Sequence, residues 1–203
     1  MYRMTRTAPM TFALLLSACS QPPSPPPLDG DWILDADASR ISFVTVKGGD
    51  ITEAHDFGKM SGTVSGEGAA TVSIDLASVE TNIDIRNERM REFLFETATY
   101  PEATVSAQLD PAAFSQLKIG EQIVQPVSAK LKLHGAESDL ETELAVTRIG
   151  PDKVQVETTA PIIVDADTFA LGAGLEKLKE LAKLPSITPQ VPVTFSIVFT
   201  HQD

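Results

Sequence analysis

Val127-Ser-Ala-Lys-Leu-Lys-Leu133 sets an apolar side chain at every odd position and, between them, Ser128, Lys130 and Lys132. A period of two sends alternate side chains to opposite faces of a strand, so this stretch reads as a strand with one dry and one wet face. One-sided alternation of this kind belongs to antiparallel sheets. The rhythm recurs along the chain. Leu140, Leu144 and Val146 alternate with Glu141, Glu143 and Thr147 in 139–147, and Val154, Val156, Thr158, Ala160 and Ile162 alternate with polar residues. Val191, Val193, Phe195, Ile197 and Phe199 repeat it near the C-terminus. Shorter runs at 41–47, 59–65, 70–77 and 103–109 bring the expectation to about eight half-buried strands. Eight such strands close an antiparallel barrel around side chains or one small ligand. A two-sheet sandwich is the competing arrangement.

Two segments depart from the period of two. In 85–95, Met90, Phe93 and Leu94 fall at i, i+3 and i+4, which predicts a short amphipathic helix. In 175–184, Leu175, Leu178, Leu181 and Ala182 share one face, Gly172 and Gly174 precede it, and Pro185 stops it. Helices this short need a surface to pack on, and the mouth of a barrel offers one. The fold class is therefore all-β with short helices: an eight-stranded antiparallel barrel with two helices near its mouth. The residues expected to face inward include Ala103, Ala107, Ala129, Thr142, Thr158 and Ala160. Small inward residues leave space for an apolar ligand, unless the helices or larger neighbours fill it.

The chain has 203 residues and a formal net charge of −12, with 16 Lys and Arg against 28 Asp and Glu. That balance opposes nucleic-acid binding, which needs clustered cations against phosphate. One Cys forms no internal disulfide and no multi-Cys metal framework. Its place explains it. Arg3 and Arg6 form a positive start, 10–16 (MTFALLL) is a short apolar run, and the small residues Ser17 and Ala18 precede Cys19. This order describes an export signal in 1–18, too short to span a bilayer. Leu16-Ser17-Ala18-Cys19 resembles the bacterial lipobox, which implies cleavage before Cys19 and lipidation of its thiol; Ser20 after it implies sorting to the outer membrane of a Gram-negative envelope, facing the periplasm. Cleavage removes two basic and no acidic residues, so the net charge moves from −12 to −14. Residues 19–28 then form a tether rich in proline, with Pro22, Pro23, Pro25, Pro26 and Pro27, a composition that favours extended polyproline II. Residues 29–203 carry the barrel.

Chemistry-bearing patterns are sparse. His55, His134 and His201 show no metal-ligand spacing and read as surface or turn residues. Asp35-Ala-Asp37 and Asp165-Ala-Asp167 read as turns rather than metal sites. No nucleophile elbow, phosphate-binding loop or dinucleotide fingerprint is present. The expectation is a binding protein rather than an enzyme, with no metal and no cofactor. Arg86, Arg89 and Arg91 form a cationic cluster in an acidic chain. They fit either a polar rim that meets a ligand head group or ion pairs with Glu88, Glu92 and Glu96 on a solvated helix.

The stretch VETNIDIRNERMREFLF (79–95), followed by Tyr100-Pro-Glu-Ala-Thr104, resembles the YceI-like family of bacterial polyisoprenoid-binding proteins. Trp32-Ile-Leu-Asp35, Ser39-Arg-Ile-Ser-Phe43, Ala129-Lys-Leu-Lys-Leu-His-Gly135, Val164-Asp-Ala-Asp-Thr-Phe-Ala-Leu171 and Val191-Pro-Val-Thr-Phe195 resemble further landmarks of that family, over roughly 31–200. Asn87 stands where the family usually has Asp, Ala136-Glu137 replaces its common Val-Thr, and Ala170 stands where Gly is frequent. The resemblance implies an elongated lipocalin-like barrel that sequesters a long isoprenoid chain, such as a quinone or another polyprenyl lipid. Together these readings nominate an apolar lining of Phe43, Val72, Ile74, Met90, Phe93, Val105, Leu131, Phe169, Leu175, Leu178, Val193 and Phe195, with Arg86 and Arg89 as its polar rim. The alternatives are an envelope interaction or sensory module that keeps the fold without lipid, and a redox partner acting on a bound quinone.

Overall fold

The computed structural model describes residues 28–202. The expected export signal, Cys19 and the expected tether up to Pro27 lie outside the described residues. The described residues form eleven strands: β1 (Trp32–Lys47), β2 (Ile51–Phe57), β3 (Met60–Val64), β4 (Ala69–Asp75), β5 (Val79–Glu80), β6 (Glu102–Gln108), β7 (Gln122–Leu133), β8 (Ala136–Arg148), β9 (Lys153–Thr158), β10 (Ile162–Asp165) and β11 (Gln190–His201). Eight of them, in the order β11-β9-β8-β7-β6-β4-β3-β1, form a ring that closes by pairing β1 with β11. Every pairing is antiparallel.

Two strands of this ring are bent rather than continuous. β2 and β3 both pair with β1, separated by Gly58-Lys59. β9 and β10 both pair with β11, separated by Thr159-Ala160-Pro161. The single strand expected over 154–162 is therefore broken. Pro161 has no N–H for the ladder, and Thr159 turns its N–H and hydroxyl onto the Glu143 carbonyl instead, at 3.4 and 2.9 Å. β2 lacks an apolar alternation because its inward side chains are Glu53, His55 and Phe57.

β1 carries the bend of the barrel within itself. Its register against β11 shifts between Asp35 and Arg40. Before the shift Trp32 and Leu34 face inward; after it the inward set is Ile41, Phe43, Thr45 and Lys47. The Asp35-Ala-Asp37 run is this bulge. Ser39 repairs the ladder there: its hydroxyl donates to the Asp35 carbonyl (2.6 Å) and accepts from the Val198 N–H (3.0 Å).

The helices cover one end. α1 (Asp84–Arg89) runs on into a wider π turn, Met90–Leu94, where the Phe95 N–H reaches the Met90 carbonyl at 2.9 Å. The extra residue per turn rotates the buried face. Met90, Leu94 and Phe95 are buried, whereas the periodicity of 85–95 expects Met90, Phe93 and Leu94. α2 (Gly172–Ala182) starts three residues earlier than its leucine spacing suggests. It can do so because Gly174 lies against the π turn: a Cβ there would sit 2.4 Å from the Phe93 carbonyl oxygen. Ala170 takes a left-handed φ of 55°, a conformation that favours glycine.

The interior divides into two clusters. The upper one, under the helices, includes Phe43, Ile74, Leu131, Leu133, Phe95 and Phe169. The lower one includes Trp32, Leu34, Met60, Leu117, Ile197 and Phe199. Arg148 is buried at the lower end, where its guanidinium donates to the carbonyls of Leu117 (3.2 Å), Gly150 (3.2 Å) and Pro151 (2.7 Å). It thereby ties two connecting loops to the barrel floor. Arg148→Met keeps the stem and leaves those carbonyls without their donor, at a cost of about 3 kcal/mol. Thermal unfolding is expected to fall by roughly 6–12 °C; an unchanged Tm contradicts the anchoring role.

Candidate ligand-binding cavity

A cavity of about 290 Å³ occupies the upper half of the barrel, beneath α1, the π turn and α2. That is about ten times the liquid volume of one water. Its walls follow from strand register. On β1 and β2 the inward residues pair across the ladder as Ile41 with Phe57, Phe43 with His55, and Thr45 with Glu53, and Lys47 follows at the mouth. Polarity therefore rises step by step along one wall, from depth to mouth. The other walls are apolar: Ile74 on β4, Ala103 and Val105 on β6, Leu131 and Leu133 on β7, Val191, Val193 and Phe195 on β11. Met90, Leu94, Leu175 and Leu178 close the top. Ile41 and Phe195 form the floor, since both also pack on the lower cluster.

The polar wall is tightly bonded. Glu53 Oε2 receives Lys47 Nζ at 2.6 Å and Arg86 Nη1 at 2.8 Å. The hydrogen bond from Lys47, with that from Arg86, holds the Glu53 carboxyl below its ordinary range, although burial pushes the other way. Arg86 also donates through Nε to Thr81 Oγ1 (2.8 Å) and through Nη2 to the Thr81 carbonyl (2.7 Å). Asn87 is buried behind it; its Oδ1 accepts from Thr81 N (2.9 Å) and Oγ1 (2.5 Å), and its Nδ2 donates to Glu80 at 3.0 Å. An Asp at this position would set a second carboxylate against Glu80, so Asn87 and Glu80 belong together. Arg89 reaches the Leu181 carbonyl at 3.5 Å and Arg91 the Ala77 carbonyl at 3.4 Å. Among the described residues, none of the three arginines pairs with Glu88, Glu92 or Glu96, so the solvated-helix reading of the cluster does not hold.

Of the residues nominated from sequence, Phe43, Ile74, Met90, Val105, Leu131, Leu175, Leu178, Val193 and Phe195 lie along this cavity, as do Arg86 and Arg89. Three do not. Val72 packs in the lower cluster, below the floor. Phe93 is half-buried and turned off the cavity by the π turn. Phe169 is buried in the core beside the cavity without lining it. Of the small inward set only Ala103 lines the space; Ala107 and Ala129 pair with each other, Thr142 and Thr158 are half-buried away from it, and Ala160 is exposed. Lys47, Glu53 and His55 are the residues that sequence reasoning missed. Their signal was a period of two carried by polar rather than apolar side chains.

The histidines divide. His134 sits at a turn with φ of 50°, 3.1 Å from Glu96, and His201 stacks edge-on against Trp32 while contacting the Asp29 carbonyl at 2.7 Å. His55, by contrast, is not a surface residue: it is 4% exposed, packs on Phe43, and holds Thr45 Oγ1 at 3.0 Å through Nε2. The two Asp-Ala-Asp runs are turns: Asp35 bonds the Ala38 N–H, and Asp165 bonds Gln190 and the Asp167 N–H. Among the described residues no group of three His, Cys, Asp or Glu side chains is placed to hold a metal, and no helix is long and apolar enough to cross a membrane. Burial, reinforced by Arg86, pulls the His55 imidazole below its ordinary value of 6.5. The unfolded chain therefore takes up a proton near pH 6.5 that the folded chain resists. Stability is complete above that pH and declines as pH falls toward the lower folded value. His55→Phe is expected to flatten the loss of Tm between pH 6.5 and 5; parallel pH profiles for both proteins contradict this.

A family model described as the YceI-like domain matches residues 32–199. Comparison with curated proteins gives no match. Among solved structures, a polyisoprenoid binding domain from Saccharophagus degradans implicated in plant cell wall breakdown is 42% identical, with a TM-score of 0.83 over 84% of this chain and 98% of that one. BcnA of Burkholderia cenocepacia is 21% identical, with a TM-score of 0.63 over 81% and 98%, and the Campylobacter jejuni YceI protein is 13% identical, with a TM-score of 0.54 over 73% and 85%; these two share the fold. The matched segment runs from the first residue of β1 to Phe199 near the end of β11, the whole ring that encloses the cavity, and on that basis the chain belongs to the YceI-like domain family.

Proposed function

We propose that this protein is a cell-envelope lipoprotein that binds a long-chain amphiphile, a polyisoprenoid or isoprenoid quinone, inside its barrel. The observation that carries this reading is the shape of the polarity. An apolar cavity has its charged side chains confined to one strip of wall, which suits a molecule with an oily tail and one polar end. Burial of the tail supplies most of the affinity, about 0.8 kcal/mol for each methylene-sized group taken from water. The Saccharophagus degradans domain, described as polyisoprenoid binding, supports the same ligand class. The protein acts as a carrier or store, its cavity wall offering positioning groups for a head group.

A full-length isoprenoid tail needs more than the present volume. Toward the other end of the barrel lies a second apolar space of about 110 Å³, lined by Trp32, Leu109, Phe114 and Phe199.

Lipid extracted from natively purified protein and identified by mass spectrometry is expected to contain an isoprenoid near one per chain. Ala103→Trp fills the cavity from a wall position and is expected to lower lipid content at least tenfold while the far-ultraviolet spectrum is kept. Protein with no lipid, and no isoprenoid binding on titration, points instead to an interaction module that has kept the fold alone. The anchor is tested separately. Cys19→Ser is expected to move the protein from the outer-membrane fraction to an unanchored pool and to abolish acyl labelling; unchanged fractionation contradicts lipidation at Cys19.

A further inference from the structure

The charged side chains that line the cavity are Lys47, Arg86, Arg89 and Glu53. Three cations meet one carboxylate, so the wall carries an excess of two positive charges, in a chain whose formal net charge is −12. Glu53 serves both Lys47 and Arg86. Arg89 has no carboxylate partner among the described residues; its one hydrogen bond there is the long contact to the Leu181 carbonyl on α2. Donors are also left over. A guanidinium has five N–H groups and an ammonium three. Arg86 uses three of its nitrogens on Glu53 and Thr81, and Lys47 meets only Glu53. Unneutralised cations beside an apolar, low-dielectric space are costly unless an anion joins them.

We propose that the head group bound by this barrel is anionic, a phosphate ester on an isoprenoid chain, with its oxygens held by Arg89 and the free N–H groups of Lys47 and Arg86. This rests on the amphiphile-binding reading and narrows it. A neutral quinone or alcohol takes hydrogen bonds from the same donors and leaves the excess charge uncompensated. A phosphate neutralises it through charge-assisted bonds, which are about twice as strong as neutral ones. The position of Arg89 also links the head group to the lid, since the residue it touches, Leu181, is on α2.

Calorimetric titration of the full chain with geranylgeranyl phosphate, geranylgeraniol and a benzoquinone bearing the same tail tests this. The phosphate is expected to bind about tenfold more tightly than the other two, and Arg89→Gln to reduce that preference to threefold or less by weakening the phosphate more than geranylgeraniol. Lys47→Gln is expected to act in the same direction. A phosphate preference of threefold or less in the unaltered protein overturns the proposal. So does an Arg89→Gln variant that weakens all three ligands equally, because Arg89 then only props α2. Displacement of the lipid by millimolar inorganic phosphate also overturns it, in favour of a free-anion site. Failure of all three isoprenoids to bind rejects amphiphile binding itself, a result distinct from the loss of head-group preference.

Discussion

The antiparallel seam between β1 and β11 holds the barrel shut, and it does so in two unequal pieces. Trp32–Asp35 pair with Val198–His201, and Arg40–Phe43 pair with Val193–Ser196. Between them the extra residues of β1 loop out, and the Ser39 hydroxyl supplies the bond that the ladder loses. The offset reverses which residues of β1 face inward, while β11 keeps Val193, Phe195, Ile197 and Phe199 inside throughout. Without it, Phe43, Thr45 and Lys47 would point to solvent and the upper barrel would lose one wall, since a slip of one residue turns every side chain over.

From that seam the cavity follows. Once the odd residues of β1 face in, β2 must pair with it in a register that sets His55 beside Phe43 and Glu53 beside Thr45. Glu53 then fixes Arg86, Arg86 fixes Thr81, and Thr81 with Asn87 fixes the start of α1. The π turn after α1 lets α2 approach at Gly174 and close the top with Leu175 and Leu178. The polar strip is thus part of the frame that positions the lid as well as a surface offered to a ligand. Its buried members are costly to leave unpaired, which accounts for the density of bonds on Arg86.

Most of the barrel was legible because its strands alternate on one side. β7, β8 and β11 could be read from Leu131, Leu144 and Val193 with their neighbours, since a half-buried antiparallel strand leaves a period of two in the sequence. β2 was not legible, because its inward positions carry Glu53 and His55, whose burial depends on partners distant in sequence, Arg86 for one and Thr45 for the other. The helix over 85–95 is legible as a helix but not as a π turn, so its spacing puts Phe93 on the face that Phe95 occupies. Local spacing cannot report a widened turn that packs against α2. The arginine cluster was visible by composition alone; its partner Glu53, brought across by the β1–β2 hairpin, was not.

In the proposed function one amphiphile lies in the upper barrel, tail on the β4–β6–β7 wall and head against the β1–β2 strip. The most direct measurement is a crystal structure of the protein loaded with a prenyl lipid. Tail density is expected along Ile74, Ala103 and Leu131, and head-group density within hydrogen-bonding reach of Lys47, Arg86 or Arg89. Lipid density outside the barrel, or a head group buried at the floor beside Ile41 and Phe195, contradicts it.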